Sequence, residues 1–321
     1  MVILVYRGDK YTGLAEYSRV LMKGLDEIGY QYKKIPIYDN SFRDKILTKK
    51  YRDVHYLEPF SFVLYADLTT LHDLDFVDNP LYSHAYQKML EMEINTSEYL
   101  VVSSKAIKED VIKWNSKLED SILISRWGID TDLYNLNDID IEYYDTLPHD
   151  KIRVLMVSTM TKRKNIIPVL KQLSNNEKFE ITLITDLHRI MDLDYWLGVK
   201  AIIDKSNNIF VRSNLTYEEL RYQYLIADIY LQPSLSGAFE MPIYEALSMG
   251  NDVVVYPLAV HKELMGNIPY YSDFSNIAKE IEDIVDFKKK PYFHDFIELN
   301  YSHTVMAKSM SGIYGEVFWS Y

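Results

Sequence analysis

The stretch "ADIYLQPSLSGAFEMPIYEALSMGNDVVVYP" (residues 227–257) holds one complete strand–loop–helix–strand unit. Its opening "ADIYLQP" and its closing "NDVVVYP" are short apolar runs that end at prolines, the pattern of strands buried on both faces. Two such strands joined through a helix run parallel, because only a long crossover connects parallel neighbours. Between them, a loop of small residues lets backbone amides approach a ligand oxygen closely, and the helix start that follows favours an anion. Pro242 is tolerated in a first helical turn. Glu245, just inside the helix, can accept hydrogen bonds from two vicinal hydroxyls. The same glutamate also suits the positive end of a helix dipole with no ligand at all.

The alternation extends in both directions. A first series opens with "MVILVY" (1–6), a polar loop through Gly13 and a helix in which Leu14, Tyr17, Leu21 and Leu25 recur at helical spacing before Gly29 stops it. Strands are expected at 32–38, 53–57, 66–73, 99–104 and 121–125, with helices near 80–95 and 104–115. A second series runs through strands at 152–158, 179–185, 208–213, 227–233 and 251–257. Residues 135–150 are acidic, aperiodic and contain proline, so they are the linker candidate. The reading is an α/β chain with two Rossmann-like domains, 1–147 and 148–302, followed by a terminal helix at about 303–321. Ligands of such sheets bind beyond the carboxyl ends of the strands, and two such domains facing each other form a cleft.

Composition narrows the function. The chain has 321 residues, enough for two ordinary domains, and its 48% hydrophobic and 26% charged content is that of a globular protein. A net charge of −12 with dispersed lysines and arginines argues against a general nucleic-acid binder. The absence of cysteine removes disulfides and thiolate metal sites. "MVILVY" is too short for a signal-peptide core, and no run approaches the length of a membrane span, so a cytoplasmic protein is expected. Lys33, Lys34, Lys45, Lys49 and Lys50 offer either a basic face for peripheral membrane contact or an ordinary solvated surface. Four Asp-X-Asp triplets, at 73–75, 130–132, 138–140 and 192–194, are what chance gives in an acidic chain, so no metal site is expected. A Gly-x-Gly-x-x-Gly fingerprint does not follow the first strand, which argues against a nicotinamide oxidoreductase.

The 227–257 stretch resembles the donor-binding signature of retaining GT-B glycosyltransferases, in particular family 4, the group 1 glycosyl transferases. Pro233, Ser234, Phe239, Pro242, Glu245, Ala246, Gly250, Val253 and Val254 fall in register with that pattern. The resemblance implies a metal-independent, retaining transfer of a sugar from a UDP- or GDP-sugar to the hydroxyl of a glycan, lipid or other acceptor. Attack would occur on the face of the departing group. It further implies donor contacts from Gly13, Thr159, Arg163, Lys164, Gly237, Ala238, Phe239, Glu240, Met241 and Glu245, with Glu245 on ribose and the 238–241 amides and Lys164 on the diphosphate. His72, in "LTTLHDLDF" (68–76), Lys164 and Glu240 are the candidate catalytic residues. The terminal segment resembles the helix that crosses back to the first, acceptor-binding domain.

Around the donor site the sequence departs from the family at three points. Gly237 stands where the family carries the first of two paired glutamates. Glu240, at a position usually occupied by glycine, either reaches the same space or points to solvent. Thr159 stands in place of a frequent arginine, with Lys162 and Arg163 as neighbouring substitutes. These departures keep open the alternative of a catalytically silent scaffold that binds a nucleotide sugar or a protein partner.

Overall fold

Runs of β-branched and aromatic residues at the expected places become strands in the computed structural model, which describes residues 1–7, 13–37, 53–60, 66–77, 79–137, 150–285 and 292–319. Most of the linker candidate (138–149), most of the loop before Gly13, and Lys45, Lys49 and Lys50 lie outside the described residues. The chain divides into two compact units, Met1–Ile129 with Asn300–Tyr321, and Asp130–Leu299.

The first unit is a six-stranded parallel sheet in the order β2-β1-β3-β4-β5-β6. Its strands are β1 (Val2–Tyr6), β2 (Tyr32–Pro36), β3 (Val54–Tyr56), β4 (Leu68–Thr70), β5 (Tyr99–Val102) and β6 (Ile122–Ile124). Helix α1 (Gly13–Glu27) packs Tyr17, Val20, Leu21 and Leu25 inward, and Gly29, with φ 70°, ends the turn after it. Helices α2 (His84–Thr96) and α3 (Lys105–Trp114) start on serine caps, Ser83 accepting from the Tyr86 amide and Ser104 from the Ile107 amide. The 66–73 run pairs as a strand only to Thr70; the chain then carries His72 beyond the sheet edge.

The second unit is a six-stranded parallel sheet in the order β12-β11-β10-β7-β8-β9. Its strands are β7 (Ile152–Val157), β8 (Phe179–Ile184), β9 (Ile209–Arg212), β10 (Ile229–Gln232), β11 (Asp252–Val255) and β12 (Tyr270–Tyr271). Helices α4 (Ile166–Leu173), α5 (Leu193–Ile203), α6 (Tyr217–Ile226), α7 (Met241–Ser248), α8 (Ala259–Met265) and α9 (Ile277–Ile284) alternate with them. Every residue of β10 and β11 is buried, the apolar ones together with Gln232 and Asp252 at the strand ends. The core gathers Val154, Met156, Ile166, Leu170, Phe179, Ile181, Ile229, Leu231 and Val254. Gly250, at φ 78°, adopts the left-handed conformation that releases the chain from α7 toward β11.

Two further helices follow, α10 (His294–Tyr301) and α11 (His303–Trp319), and α11 belongs to the first unit. It lies against α1 so closely that Gly24 is in contact with the His303 carbonyl. Among the described residues, no helix is long and apolar enough to cross a membrane.

Candidate functional site

In the second unit, strands β8 and β9 extend to one side of β7, and β10, β11 and β12 to the other. The carboxyl ends of β7 and β10 therefore flank the point where strand order reverses, which is where an open parallel sheet leaves a crevice for a ligand. Two segments of the sequence meet there. After β7 the chain makes a 3₁₀ turn at Lys162–Lys164; after β10 it makes the 233–240 loop. The two are tied by backbone and side chain: the Leu235 amide donates to the Arg163 carbonyl at 2.9 Å, and the Arg163 guanidinium donates to the Ser236 carbonyl at 3.1 Å. Thr159 is exposed just beyond β7.

The loop is open at its tip and packed at its end. Leu235 and Ser236 are exposed and Gly237 is half-buried, whereas Ala238, Phe239, Glu240 and Met241 are buried. Phe239 stacks on Tyr244 with ring centroids 4.0 Å apart, which anchors the loop to α7.

Glu240 points inward. Its Oε1 accepts from the Lys164 ammonium at 2.5 Å and from the Gln232 side-chain amide at 2.7 Å; its Oε2 lies 3.2 Å from His261 Nε2. Burial pushes this carboxyl up, but the Lys164 charge and the His261 contact outweigh it and hold it well below the usual carboxylate range. Gln232 is itself fixed, its oxygen accepting from the Tyr230 hydroxyl and its amide donating to Ser234 at 2.9 Å. A Cβ built on Gly237 would stand 2.9 Å from Glu240 Cδ and 3.2 Å from each of its oxygens. The carboxylate thus fills the room that a side chain at 237 would need, so such a side chain would displace it.

Glu245 is buried one turn into α7 and accepts from the Tyr224 hydroxyl at 2.7 Å. Helix α4 offers an approaching anion little through its first amides. Ile166 and Ile167 N–H both donate to the Tyr195 hydroxyl, at 2.7 and 3.2 Å, and Pro168 has none. Cationic help near β7 comes from side chains.

In the first unit, Gly13 is exposed at the start of α1. His72 follows β4, and its Nε2 donates to the Leu57 carbonyl, at the carboxyl end of β3, at 2.9 Å. Its ring is enclosed by Tyr17 and Trp127, with centroids 4.7 and 4.8 Å away. Burial lowers His72 to about 4, against the raising influence of the Leu57 carbonyl and Asp73. At neutral pH the ring is uncharged, and with Nε2 donating, Nδ1 is the acceptor nitrogen. Behind it runs a buried chain: Tyr17 hydroxyl to Thr70 Oγ1 (3.2 Å), Thr70 Oγ1 to His55 Nε2 (2.8 Å), and His55 Nδ1 to the Tyr314 hydroxyl of α11 (2.7 Å). Burial, with His72 nearby, lowers His55 to about 3.

Both histidines thus titrate in the folded protein below their ordinary 6.5, so the unfolded chain binds more protons through that window and stability falls as the solution is acidified. Each ring contributes a slope of up to about 1.4 kcal/mol per pH unit between about pH 6 and 4. We expect His55→Gln to flatten the pH dependence of unfolding by about that amount, measured by urea titrations across the range. Parallel slopes for the two proteins would reject a neutral, buried His55.

No protein-family model matches the chain, and no curated protein matches it in sequence. Solved structures do, and they define the architecture as the GT-B fold. A glycosyltransferase from Rickettsia africae ESF-5 is similar over 100% of this chain and 99% of its own, with a TM-score of 0.69 at 17% identity. Sucrose-phosphate synthase (tll1590) from Thermosynechococcus elongatus is similar over 100% and 99%, with a TM-score of 0.75 at 15% identity. Anabaena Alr3699/HepE, solved in complex with UDP and glucose, is similar over 98% and 99%, with a TM-score of 0.75 at 13% identity. At these identities the likeness is one of fold.

Sequence reasoning had singled out Lys164 and Glu240 separately, and the fold joins them. It had not singled out Gln232 and His261, which hold Glu240, Tyr224, which bonds Glu245, or Tyr195, which accepts from the first amides of α4. Each is a lone polar residue at the edge of an apolar run, without a local pattern of its own.

Proposed function

We propose that the protein is a glycosyltransferase of the retaining, family 4 type, moving a sugar from a UDP- or GDP-sugar to an acceptor hydroxyl without a metal ion. The observation that carries this reading is the joining of the Arg163–Lys164 turn to the 235–240 loop where strand order reverses in the second sheet. Leaving-group stabilisation in such chemistry needs a fixed cation beside the diphosphate, and Lys164 is the buried cation of that turn. Glu245 would accept from the ribose hydroxyls, and the loop from Gly237 to Met241 would line the diphosphate and sugar. The first unit would bind the acceptor, a glycan, lipid or other alcohol, and supply Gly13 and His72. A neutral His72 suits contact with a sugar hydroxyl, because its acceptor nitrogen can take a hydroxyl proton in a hydrogen bond. The likeness of fold to HepE, solved with UDP and glucose, supports the choice of donor class.

The direct test is thermal melting across UDP, GDP and their sugars, followed by assay of donor hydrolysis and transfer. A ligand that binds only the folded form raises the melting temperature. Failure of every nucleotide to shift the melt would count against the reading.

A silent scaffold is the second reading, favoured by the missing carboxylate at Gly237. Binding without any turnover of the bound nucleotide sugar would select it. Under either reading Glu245→Ala is expected to weaken nucleotide binding by about 1–3 kcal/mol, the worth of hydrogen bonds to a charged group. Calorimetric titration with UDP and GDP measures this, and unaltered affinity would take Glu245 out of the ribose site.

A further inference from the structure

Glu240 occupies the N-cap position of α7, where a carboxylate ordinarily accepts from the first helix amides, yet its side chain makes no capping bond. It turns instead to Lys164, the cation that the proposed function assigns to the donor diphosphate. Around this one carboxylate stand a lysine, a histidine and an amide, all in the second unit and all buried. His261 Nδ1 lies 2.9 Å from the Tyr256 carbonyl and its Nε2 3.2 Å from Glu240 Oε2, so both ring nitrogens face oxygen atoms and the ring is held between them. The Tyr271 hydroxyl, donating to the Gly266 carbonyl at 2.6 Å and lying 3.2 Å from the His261 carbonyl, packs against the end of α8.

We propose that the Glu240 carboxylate is an internal stand-in for the donor's diphosphate: it holds the Lys164 ammonium until a nucleoside diphosphate displaces it, and His261 with Gln232 then retains it. The inference rests on the reading of this site as a nucleotide-sugar site. The physical basis is competition between anions for one buried cation. Without His261 and Gln232, the released carboxylate would be left buried and unpaired, at a cost that would oppose exchange. With them, the His261 ring and the Gln232 amide still face it after Lys164 has moved. Gly237 is part of the device, since a side chain there would take the space of the carboxylate. His261 is therefore a positioning residue, acting on the ligand through Glu240.

The test is calorimetric binding of UDP and GDP to the full chain and to Glu240→Gln, Glu240→Asp, His261→Leu and the Glu240→Gln/His261→Leu double variant. Melting curves establish that each variant is folded. Removing the competing charge should tighten nucleotide affinity in Glu240→Gln by about tenfold, the low end of a charge-assisted hydrogen bond. Glu240→Asp, which withdraws the carboxylate by one carbon, should tighten it by less and serves if the glutamine variant does not fold. His261→Leu should weaken binding by about tenfold, because the carboxylate then depends more heavily on Lys164. In the double variant that loss should vanish, with affinity within about twofold of Glu240→Gln alone. A histidine that only supports the fold would weaken both backgrounds alike.

If the parent protein binds UDP or GDP and removing the Glu240 charge leaves affinity unchanged or weaker, the competition is refuted while the donor site stands. If only the glutamine or aspartate variant binds, the competition is supported. If none of the folded proteins binds either nucleotide, both the competition and the donor site are refuted.

Discussion

On the proposed function, Lys164→Ala should lower turnover of a UDP- or GDP-sugar by about a hundredfold to a thousandfold, the range for deleting one preorganised group that stabilises developing charge. The lysine is the ion-pair partner of Glu240 at the ends of β7 and β10, so the loss falls on whatever leaving group the second unit holds. A structural cost accompanies it. Glu240 remains buried with Gln232 and His261 but without its nearest cation, and breaking a buried pair from one side costs about 3–5 kcal/mol. The kinetic comparison must therefore be made below the melting transition of the variant. Lys164→Arg provides the contrast: it keeps the charge with a broader head, so it should recover stability more fully than rate. A folded Lys164→Ala enzyme with parental turnover would remove Lys164 from the chemistry.

Gly24→Ala should destabilise the first unit by about 3 kcal/mol or more, at the upper end of overpacking costs. A Cβ at this point of α1 would sit 2.1 Å from the His303 carbonyl oxygen, 2.7 Å from its carbon and 2.9 Å from Ala307 Cβ. Two of these are backbone atoms, so no rotamer relieves the clash and α1 must part from α11. Alanine's better helix propensity, worth about 1 kcal/mol, cannot offset this. At about 2–4 °C for each kcal/mol, the transition of this unit should fall by roughly 6–12 °C. Gly312→Ala, in α11 with nothing within 4 Å of its Cβ, is the control and should be neutral or slightly stabilising. Equal melting temperatures for the two variants would show that the α1–α11 contact is looser than described.

The parts of the fold that could be read from the sequence were those fixed by local pattern. Strands such as "IRVLMV" and "DVVV" are apolar apart from Arg153 and Asp252 near their starts, the pattern that parallel sheets favour. Strand β12 had no such signature. Two half-exposed tyrosines, Tyr270 and Tyr271, pair with β11 because α8 delivers the chain to the sheet edge. The candidate site divides in the same way. Its loop, proline and glycines are visible because backbone geometry restricts the residue types. The donors around Glu240 come from three separate elements, and their meeting is a property of the folded sheet. The side chain at 240 could be read as inward or outward from sequence. Its room beneath Gly237 exists only once the loop has turned back over it.

The joining of α11 to α1 also has a consequence for synthesis. His55 meets Tyr314 across 259 positions of chain, and Glu27 meets His303 across 276. As the ribosome proceeds from the amino terminus, the half that emerges first lacks its closing helix until nearly all of the second half has been made. The later-made unit, continuous from Asp130 to Leu299, has every strand of its sheet before translation reaches that helix. Closure of the first unit thus waits on synthesis of the second. Such distant pairings slow folding, and an apolar flank left waiting on the nascent chain is a natural client for a chaperone.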